Sequence, residues 1–125
     1  MTIRTLLEDA AARAPGRAAV QFRAEGMIRS ITYAALARRA RQVAELAGTL
    51  EIRPRETPAA LILENRPEWI EIYLGLTACG IAVVPVDPKL RAGEMASMLR
   101  DSGATAVFTD ARRDGSIICV VEQAL

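Results

Sequence analysis

The chain has 125 residues, of which 51% are hydrophobic and 25% are charged, a composition typical of one globular domain. Lys and Arg number 16 and Asp and Glu number 15, which leaves a net charge of +1 and gives no electrostatic reason to expect nucleic acid or an anionic membrane as a partner. Because the chain contains no histidine, Ser–His and Cys–His catalytic units and histidine-based zinc sites are excluded.

The first part of the chain, residues 1–57, predicts a helix, a β-hairpin and a long second helix. Apolar residues recur at helical spacing in both helical segments, and a Gly-containing turn separates the two strand segments. The predicted elements are a helix over Ile3–Ala14 capped by Thr2 and ended by Pro15-Gly16, strands over Ala18–Arg23 and Met27–Thr32, and a helix over Tyr33–Leu50 capped by Thr32.

The remainder, residues 58–125, alternates strands and helices in the order of a parallel sheet with right-handed crossovers. Continuous apolar runs predict strands that are covered on both faces. Asn65 and Glu68 have the spacing of a capping box, and Gly80 and Gly103 are suited to end helices. The predicted elements are strands over Ala59–Leu63, Ile81–Val84, Ala104–Phe108 and Ser116–Val121, helices from Asn65 to about Cys79 and over Glu94–Ser102, and a polar loop over Asp110–Gly115. The fold class is therefore α/β, with β-α-β-α-β units preceded by a helix and a hairpin, in a single domain.

The helix patterns also predict which faces turn inward. The long second helix has an apolar stripe, and the charged residues beside it (Arg38, Arg39, Arg41 and Glu45) predict a solvated face rather than an anion site. Pro85 lacks a backbone N–H and therefore predicts a strand end or a sheet edge. The predicted inward residues are Leu36, Ala40, Val43, Ala47 and Leu50 in the second helix, Ile70, Tyr73, Leu74, Thr77 and Ala78 in the third, and Met95, Met98 and Leu99 in the fourth.

Few residues of the sequence indicate chemistry. The glycines form neither G-x-G-x-x-G nor a P-loop, so no nucleotide cradle is predicted. Asp87 follows a strand, where α/β sheets bind ligands, but its place between two prolines favours turn formation. Four other features have structural interpretations: Glu64 at a strand end, Glu68 and Glu71 in a first helical turn, Trp69 and Tyr73 as a core or interface pair, and Cys79 and Cys119 as buried thiols in a reducing compartment.

Three stretches, taken in their order and spacing, resemble AMP-dependent synthetases and ligases. Ile31–Ala40 resembles the "ITYAEL" helix opening of this superfamily. Ala60–Pro88 resembles its strand, "N-x-P-E" helix and "VVP-x-x-P" strand, and Ser102-Gly103-Ala104 resembles the "DSGA" of the next unit. The resemblance extends from about Thr5 to Thr109 and implies the N-terminal region of the adenylate-forming fold.

The resemblance implies a function for a longer protein. The superfamily includes acyl-CoA synthetases of fatty acid metabolism, aryl-CoA ligases, luciferases and the adenylation domains of peptide synthetases. Its members activate a carboxylate with ATP and Mg²⁺ to an acyl-AMP, and most pass the acyl group to a thiol such as CoA. The family's phosphate loop, acidic nucleotide motifs and C-terminal lysine lie downstream, so no catalytic, cofactor-binding or metal-binding residue is transferred to this chain, and the chain is not expected to be active alone.

The matched residues have structural roles in this interpretation. Thr32 and Asn65 would cap helices, and Pro85 and Pro88 would shape a strand exit. The sequence also departs from the family pattern at several positions. These departures are Ala35 in place of a capping Glu, Glu51 in place of a helix-ending Gly, Arg55-Glu56-Thr57 in place of "GDR", Arg66 in place of a small residue, and Arg91 with Gly93 at the start of the fourth helix.

Three hypotheses follow. The first is the N-terminal portion of a synthetase, whose partner is the rest of the enzyme or a complementary subunit and whose open sheet edges favour self-association. The second is a non-catalytic interaction module derived from this fold, and the third, a flavodoxin-like domain, lacks the required acidic cluster. Glu8 and Asp9 interrupt any signal-peptide pattern, and the apolar runs are too short to span a membrane, so a cytoplasmic location is expected.

Overall fold

The computed structural model of the chain describes residues 2–110 and 118–121. These residues form four helices and six strands, numbered in chain order. The elements are α1 (Ile3–Arg13), β1 (Ala18–Ala24), β2 (Met27–Thr32), α2 (Tyr33–Thr49), β3 (Ala59–Ile62), α3 (Pro67–Ala78), β4 (Val83–Val86), α4 (Ala92–Ser102), β5 (Ala106–Thr109) and β6 (Ile118–Val121). The predicted loop over Asp110–Gly115 lies, beyond Asp110, outside the described residues.

The predicted hairpin is confirmed. Strands β1 and β2 pair in an antiparallel two-stranded sheet that is separate from the main sheet. The two residues between them, Glu25 and Gly26, have positive φ values of 53° and 75°. Positive φ at both positions is the requirement of a type I′ turn, whose twist matches that of the strands it joins.

The main sheet has the strand order β4-β3-β5-β6. Strands β3, β4 and β5 are parallel, so that Ala59 lies opposite both Val83 and Ala106. Strand β6 is antiparallel to β5. Only residues 110–117 separate these two strands, and a parallel crossover takes about a dozen residues or more. The short connection therefore accounts for the antiparallel direction of β6.

The central strand β3 is the most buried strand among the described residues. Its residues Ala59, Ala60 and Leu61 have no exposed surface, as the continuous apolar run predicts. Strand β4, in contrast, is an edge strand and is only half-buried, so the prediction of a strand covered on both faces is wrong there. Pro85 lies within this edge strand, which confirms its predicted place at a sheet edge.

Helix α3 packs against α2 and β3 through a face that the sequence did not predict. The buried residues are Glu71, Ile72, Gly75 and Leu76, whereas the predicted inward set is half-buried. This helix is apolar on most of its surface, so hydrophobicity alone does not orient it. Gly75 orients it instead: a Cβ there would lie 2.6 Å from the Ala40 carbonyl oxygen, so no other residue allows the two helices to approach so closely.

The other predicted helix faces are largely confirmed. In α2, Leu36, Ala40 and Ala47 are buried, and Val43 and Leu50 pack on the core. Helix α4 turns Met95, Met98 and Leu99 toward the protein, but they are only half-buried. Among the described residues, no helix is long and apolar enough to cross a membrane.

Most of the predicted caps are confirmed, and one is wrong. Thr2 and Thr32 accept backbone hydrogen bonds at the starts of α1 and α2. Gly80 and Gly103 adopt left-handed conformations beyond α3 and α4. The capping box of Asn65 with Glu68 does not form, because the N-cap of α3 is Arg66. The residue before a proline is restricted to extended conformations, so Pro67 fixes the cap one residue later.

Candidate functional site

The adjacent parallel strands β3 and β4 continue toward opposite sides of the sheet at their carboxyl ends. We call the space between these two strand ends the β3–β4 crevice. From β3 the chain passes through α3 outward to β4, and from β4 it passes through α4 back beyond β3 to β5. Right-handed crossovers therefore place α3 and α4 on opposite faces of the sheet. The carboxyl ends of β3 and β4 form a topological switch point, which is the usual ligand site of an open α/β sheet.

A cavity of about 550 Å³ occupies this crevice. Residues at and beyond the end of β3 form one side of the cavity. The proline-rich segment at the end of β4 forms the other side. The lining residues are Leu63, Glu64, Asn65 and Trp69 on the β3 side and Pro85, Val86, Asp87, Pro88 and Lys89 on the β4 side. The sequence singled out Glu64 and Asp87, and the structure places both in this one crevice.

The carboxylate of Asp87 has a structural role in the crevice. Its Oδ1 accepts a hydrogen bond of 2.9 Å from the backbone N–H of Lys89, which is the geometry of an Asx-turn. The Asp87 carbonyl accepts a second bond from the backbone N–H of Leu90. This arrangement agrees with the turn interpretation of Asp87, and it fixes the path of the chain as it leaves β4.

A second cavity, the hairpin groove, lies between β1 and the start of α3. It has a volume of about 580 Å³ and contacts residues 20–24 of β1 and residues 65–70 around the first turn of α3. Trp69 and Asn65 line both the groove and the crevice. The Trp69 ring stacks on Tyr73 with centroids 5.2 Å apart and planes within 9°. Trp69 therefore lies between the two cavities with Tyr73 stacked behind it, a position that helical spacing alone could not reveal.

Arg39 and Glu71 form an ion pair between α2 and α3. The Arg39 Nη1 donates to the Glu71 Oε1 over 2.7 Å, and Glu71 is only 9% exposed. Two predictions are corrected here. Glu71 lies in the second turn of α3 rather than the first, and Arg39 belongs to an interhelical contact instead of a purely solvated face. A buried carboxylate requires such a partner, because desolvation without one is costly.

Arg66 connects the start of α3 to the end of β5. Its Nε donates to the Glu68 Oε2 over 2.7 Å, and its Nη1 lies 3.5 Å from the Asp110 Oδ2. The hydrogen bond to Glu68 is the main reason that the pKa of Arg66 is raised. Burial alone would raise the pKa of Glu68, but hydrogen bonds from Arg66 and the backbone, with the charges of Arg66 and Arg39, together lower it.

The remaining reactive groups are two thiols. Cys79 and Cys119 are free and half-buried, and burial raises the pKa of both, that of Cys119 to about 11. A thiol with a raised pKa is protonated at neutral pH and is a poor nucleophile. In residues 2–110 and 118–121, no group of three or more Cys, Asp or Glu side chains is placed to hold a metal ion.

Comparison with known proteins decides the family. The sequence model described as "AMP-binding enzyme" matches residues 7–124. The chain belongs to this family of AMP-binding enzymes. The resemblance inferred from the three sequence stretches is thereby confirmed.

Relatives in the AMP-binding family include two kinds of protein. The chain is 36% identical over 104 residues to a subunit of the linear gramicidin synthase of Brevibacillus parabrevis. It is 32% identical over 111 residues to the crotonobetaine/carnitine–CoA ligase of Salmonella paratyphi B. These matches cover 83% and 88% of the chain but only 2% and 21% of the two relatives. The chain therefore spans a small part of the length of the relatives it matches.

Solved structures of AMP-binding enzymes share the fold. A fatty acid AMP ligase from Legionella pneumophila superposes with a TM-score of 0.80 at 18% identity, over 88% of this chain and 20% of that one. The N-terminal subdomain of Klebsiella oxytoca NpsA superposes with a TM-score of 0.77 at 24% identity, over 88% of this chain and 28% of that one. The α/β fold predicted from the sequence is thus the fold of N-terminal subdomains in adenylate-forming enzymes.

Proposed function

We propose that this chain forms the N-terminal portion of an adenylate-forming ligase of the acyl-CoA synthetase type and is inactive alone. In such a ligase a carboxylate oxygen attacks the α-phosphorus of ATP and releases pyrophosphate. A thiol sulfur, that of CoA in this proposal, then attacks the acyl carbonyl and releases AMP. The cytoplasm is the compartment that we propose for this reaction.

One observation carries the proposal. The family match runs through residues 7–124, yet these residues correspond to between 2% and 28% of the relatives and solved structures that they match. A match over nearly the whole chain but only a small share of each relative is expected for one part of a larger enzyme. We therefore treat residues 1–125 as one partial domain, with the lead-in over 1–57 and the sheet unit over 58–125.

The described residues fit a supporting role, in which this portion shapes part of an active site whose catalytic residues lie elsewhere in the enzyme. ATP with Mg²⁺ requires a backbone phosphate cradle and carboxylate ligands for the metal. The glycines make no such cradle, and Asp87 at the crevice already accepts a bond from Lys89. These groups do not fit Mg²⁺-ATP, so no step of the reaction is assigned to them. The β3–β4 crevice supplies one wall of a site at most.

The test compares the chain with its natural extension. The DNA after the Leu125 codon is read first, and the chain is then expressed with and without any polypeptide that continues the frame. We expect carboxylate-dependent exchange of labelled pyrophosphate into ATP from the extended protein and none from the chain. Tight Mg²⁺-ATP binding by the chain alone, measured by calorimetry, would contradict the placement of the nucleotide site outside this chain. A stop codon with no complementary frame nearby would contradict the ligase and favour an interaction module.

A further inference from the structure

The hairpin groove runs along β1, whose outer edge carries no strand among the described residues, and it also contacts Ile31 of β2 and Arg39 of α2. Side chains of a strand point alternately to opposite faces. The groove contacts all five residues of the range 20–24, and its contact with the buried Ile31 shows that it also reaches the inner face of the hairpin. At about 3.3 Å per residue, this edge is about 13 Å long. The opposite wall is the first turn of α3 with Trp69 and Ile70.

The hairpin geometry determines which backbone groups of β1 are not used by β2. A two-residue type I′ turn is closed by a hydrogen-bonded pair, here Ala24 with Met27. Hydrogen-bonded and non-bonded pairs alternate along an antiparallel ladder, so the pairs of Arg23 with Ile28 and of Gln21 with Ser30 are non-bonded. The N–H and C=O groups of Gln21 and Arg23 therefore point away from β2. Among residues 2–110 and 118–121, β2 is the one strand paired with β1.

The solved relatives indicate what covers this edge. The NpsA structure is a single N-terminal subdomain, and the chain matches only 28% of it. The N-terminal domain of a Mycobacterium tuberculosis protein is likewise matched over 27% of its length, at 26% identity. About three quarters of one folded unit thus remain to pack on the surfaces that are open here.

We propose that a β-strand from the remainder of the adenylate-forming domain adds to β1 in the hairpin groove. This inference rests on the proposed function, since it takes its partner from the rest of that enzyme. Main-chain hydrogen bonds to Gln21 and Arg23 supply the register of such a strand. Phe22, Trp69 and Ile70 line the groove and select a strand that alternates apolar and polar residues, with its apolar side against them.

The test uses a chimera in which residues 7–124 replace the aligned segment of the Salmonella crotonobetaine/carnitine–CoA ligase. Hydrogen exchange is measured by mass spectrometry with fragmentation to single residues, in the isolated chain and in the chimera. We expect the Gln21 and Arg23 amides to exchange at least about tenfold more slowly in the chimera, because strand addition protects them. Equal exchange in the two proteins overturns the proposal.

Two proline variants provide a matched control. Gln21→Pro removes an N–H that points away from β2, and Ser30→Pro removes the N–H of its cross-strand neighbour, which faces the far edge of β2. Proline is tolerated on the free edge of a strand, so both variants of the isolated chain should fold. In the chimera, Gln21→Pro should abolish the protection of Arg23, and Ser30→Pro should leave it unchanged. Equal effects of the two prolines overturn the proposal.

The other outcomes are also decisive. The parent ligase is measured alongside, and fast exchange of its aligned strand overturns the proposal even if the chimera does not fold. A dimer of the isolated chain that Gln21→Pro dissociates would identify a second copy as the occupant and overturn it as well. A chimera with protected amides but no pyrophosphate release would contradict the proposed function alone. An active chimera with unprotected amides would contradict this inference alone.

Discussion

At the scale of single residues, Gly75 controls how α2 and α3 meet. A Cβ at this position would lie 2.6 Å from both the Ala40 carbonyl oxygen and the Val43 Cβ. The first of these atoms belongs to a helix backbone and cannot rotate away. The close approach in turn brings Arg39 within 2.7 Å of Glu71. The lack of a side chain at Gly75 therefore allows both the short distance between α2 and α3 and the ion pair between Arg39 and Glu71.

Gly75→Ala should lower the free energy of unfolding. Overpacking typically costs about 1–3 kcal/mol, which exceeds the gain of up to about 1 kcal/mol from the helix propensity of alanine. Urea unfolding at pH 7 measures the difference. Gly48→Ala is the control, because Gly48 also lies in a helix but a Cβ added there would meet no atom within 4 Å. The control should be neutral or stabilising, and a stabilising Gly75→Ala would contradict the packing described here.

At the scale of elements, the end of α2 forms its usual motif with an unusual residue. The Ile52 N–H donates to the Ala47 carbonyl, and the Glu51 N–H donates to the Gly48 carbonyl. These two bonds define a Schellman motif, in which the residue at Glu51 is normally glycine. Glu51 has a φ of 59°. The family resemblance implied a helix-ending glycine at this position, and the positive φ of Glu51 agrees with that.

Glu51→Gly should raise the free energy of unfolding. The left-handed conformation costs a non-glycine residue roughly 1–2 kcal/mol, and the greater freedom of glycine in the unfolded chain offsets part of that, so we expect a gain of about 0.5–1 kcal/mol. Thermal unfolding provides the measurement. Glu56→Gly, in the next turn and without a positive φ, should instead be destabilising by about 0.4–1 kcal/mol. If both variants shift stability in the same direction, backbone strain at Glu51 is not the cause.

The sequence predicted the positions of helices and strands along the chain better than it predicted how they pack against one another. Local signals such as Thr32, Gly80 and the alternation of strands and helices located every described helix and strand to within a few residues. The rotation of α3 was not predictable, since it depends on Gly75 meeting a helix far away in the chain. The crevice was predictable in part: Asp87 marks a strand end, but only the strand order shows that β3 and β4 are neighbours. The positions of Arg39 and Trp69 depend on tertiary contacts, which local sequence patterns do not predict.

At the scale of the whole molecule, Arg66 and its two carboxylate partners tie α3 to the end of β5. These contacts join parts of the sheet unit that are distant in sequence, so their loss should weaken the fold as a whole. The lowered pKa of Glu68 fixes the direction of the pH dependence. A carboxylate with a depressed pKa stabilises the folded state above its ordinary pKa, and this stabilisation is lost as the pH falls through the folded value.

The stability of the chain should therefore fall as the pH decreases below the ordinary Glu pKa of 4.5, and Glu68→Gln should reduce that fall. Because the Glu68 side chain is 37% exposed, the difference at pH 7 should be less than about 1 kcal/mol. Urea unfolding followed by the fluorescence of Trp69, the one tryptophan of the sequence, measures it between pH 7 and pH 3. Glu45→Gln on the exposed surface of α2 is the control. Parallel pH profiles for the wild type and Glu68→Gln would contradict the stabilising role of the contact with Arg66.

The central position of β3 has a consequence during synthesis on the ribosome. Ala59 pairs on one side with Val83 and on the other with Ala106. At about 5–20 residues per second, the second partner is translated about one to five seconds after the first. For that interval a strand that is buried in the folded protein has one edge without a partner, and nascent chains with such an edge are prone to aggregate. Slower translation between the codons for Val86 and Ala106 would lengthen this exposure, whereas a chaperone bound to β3 at this stage would protect it.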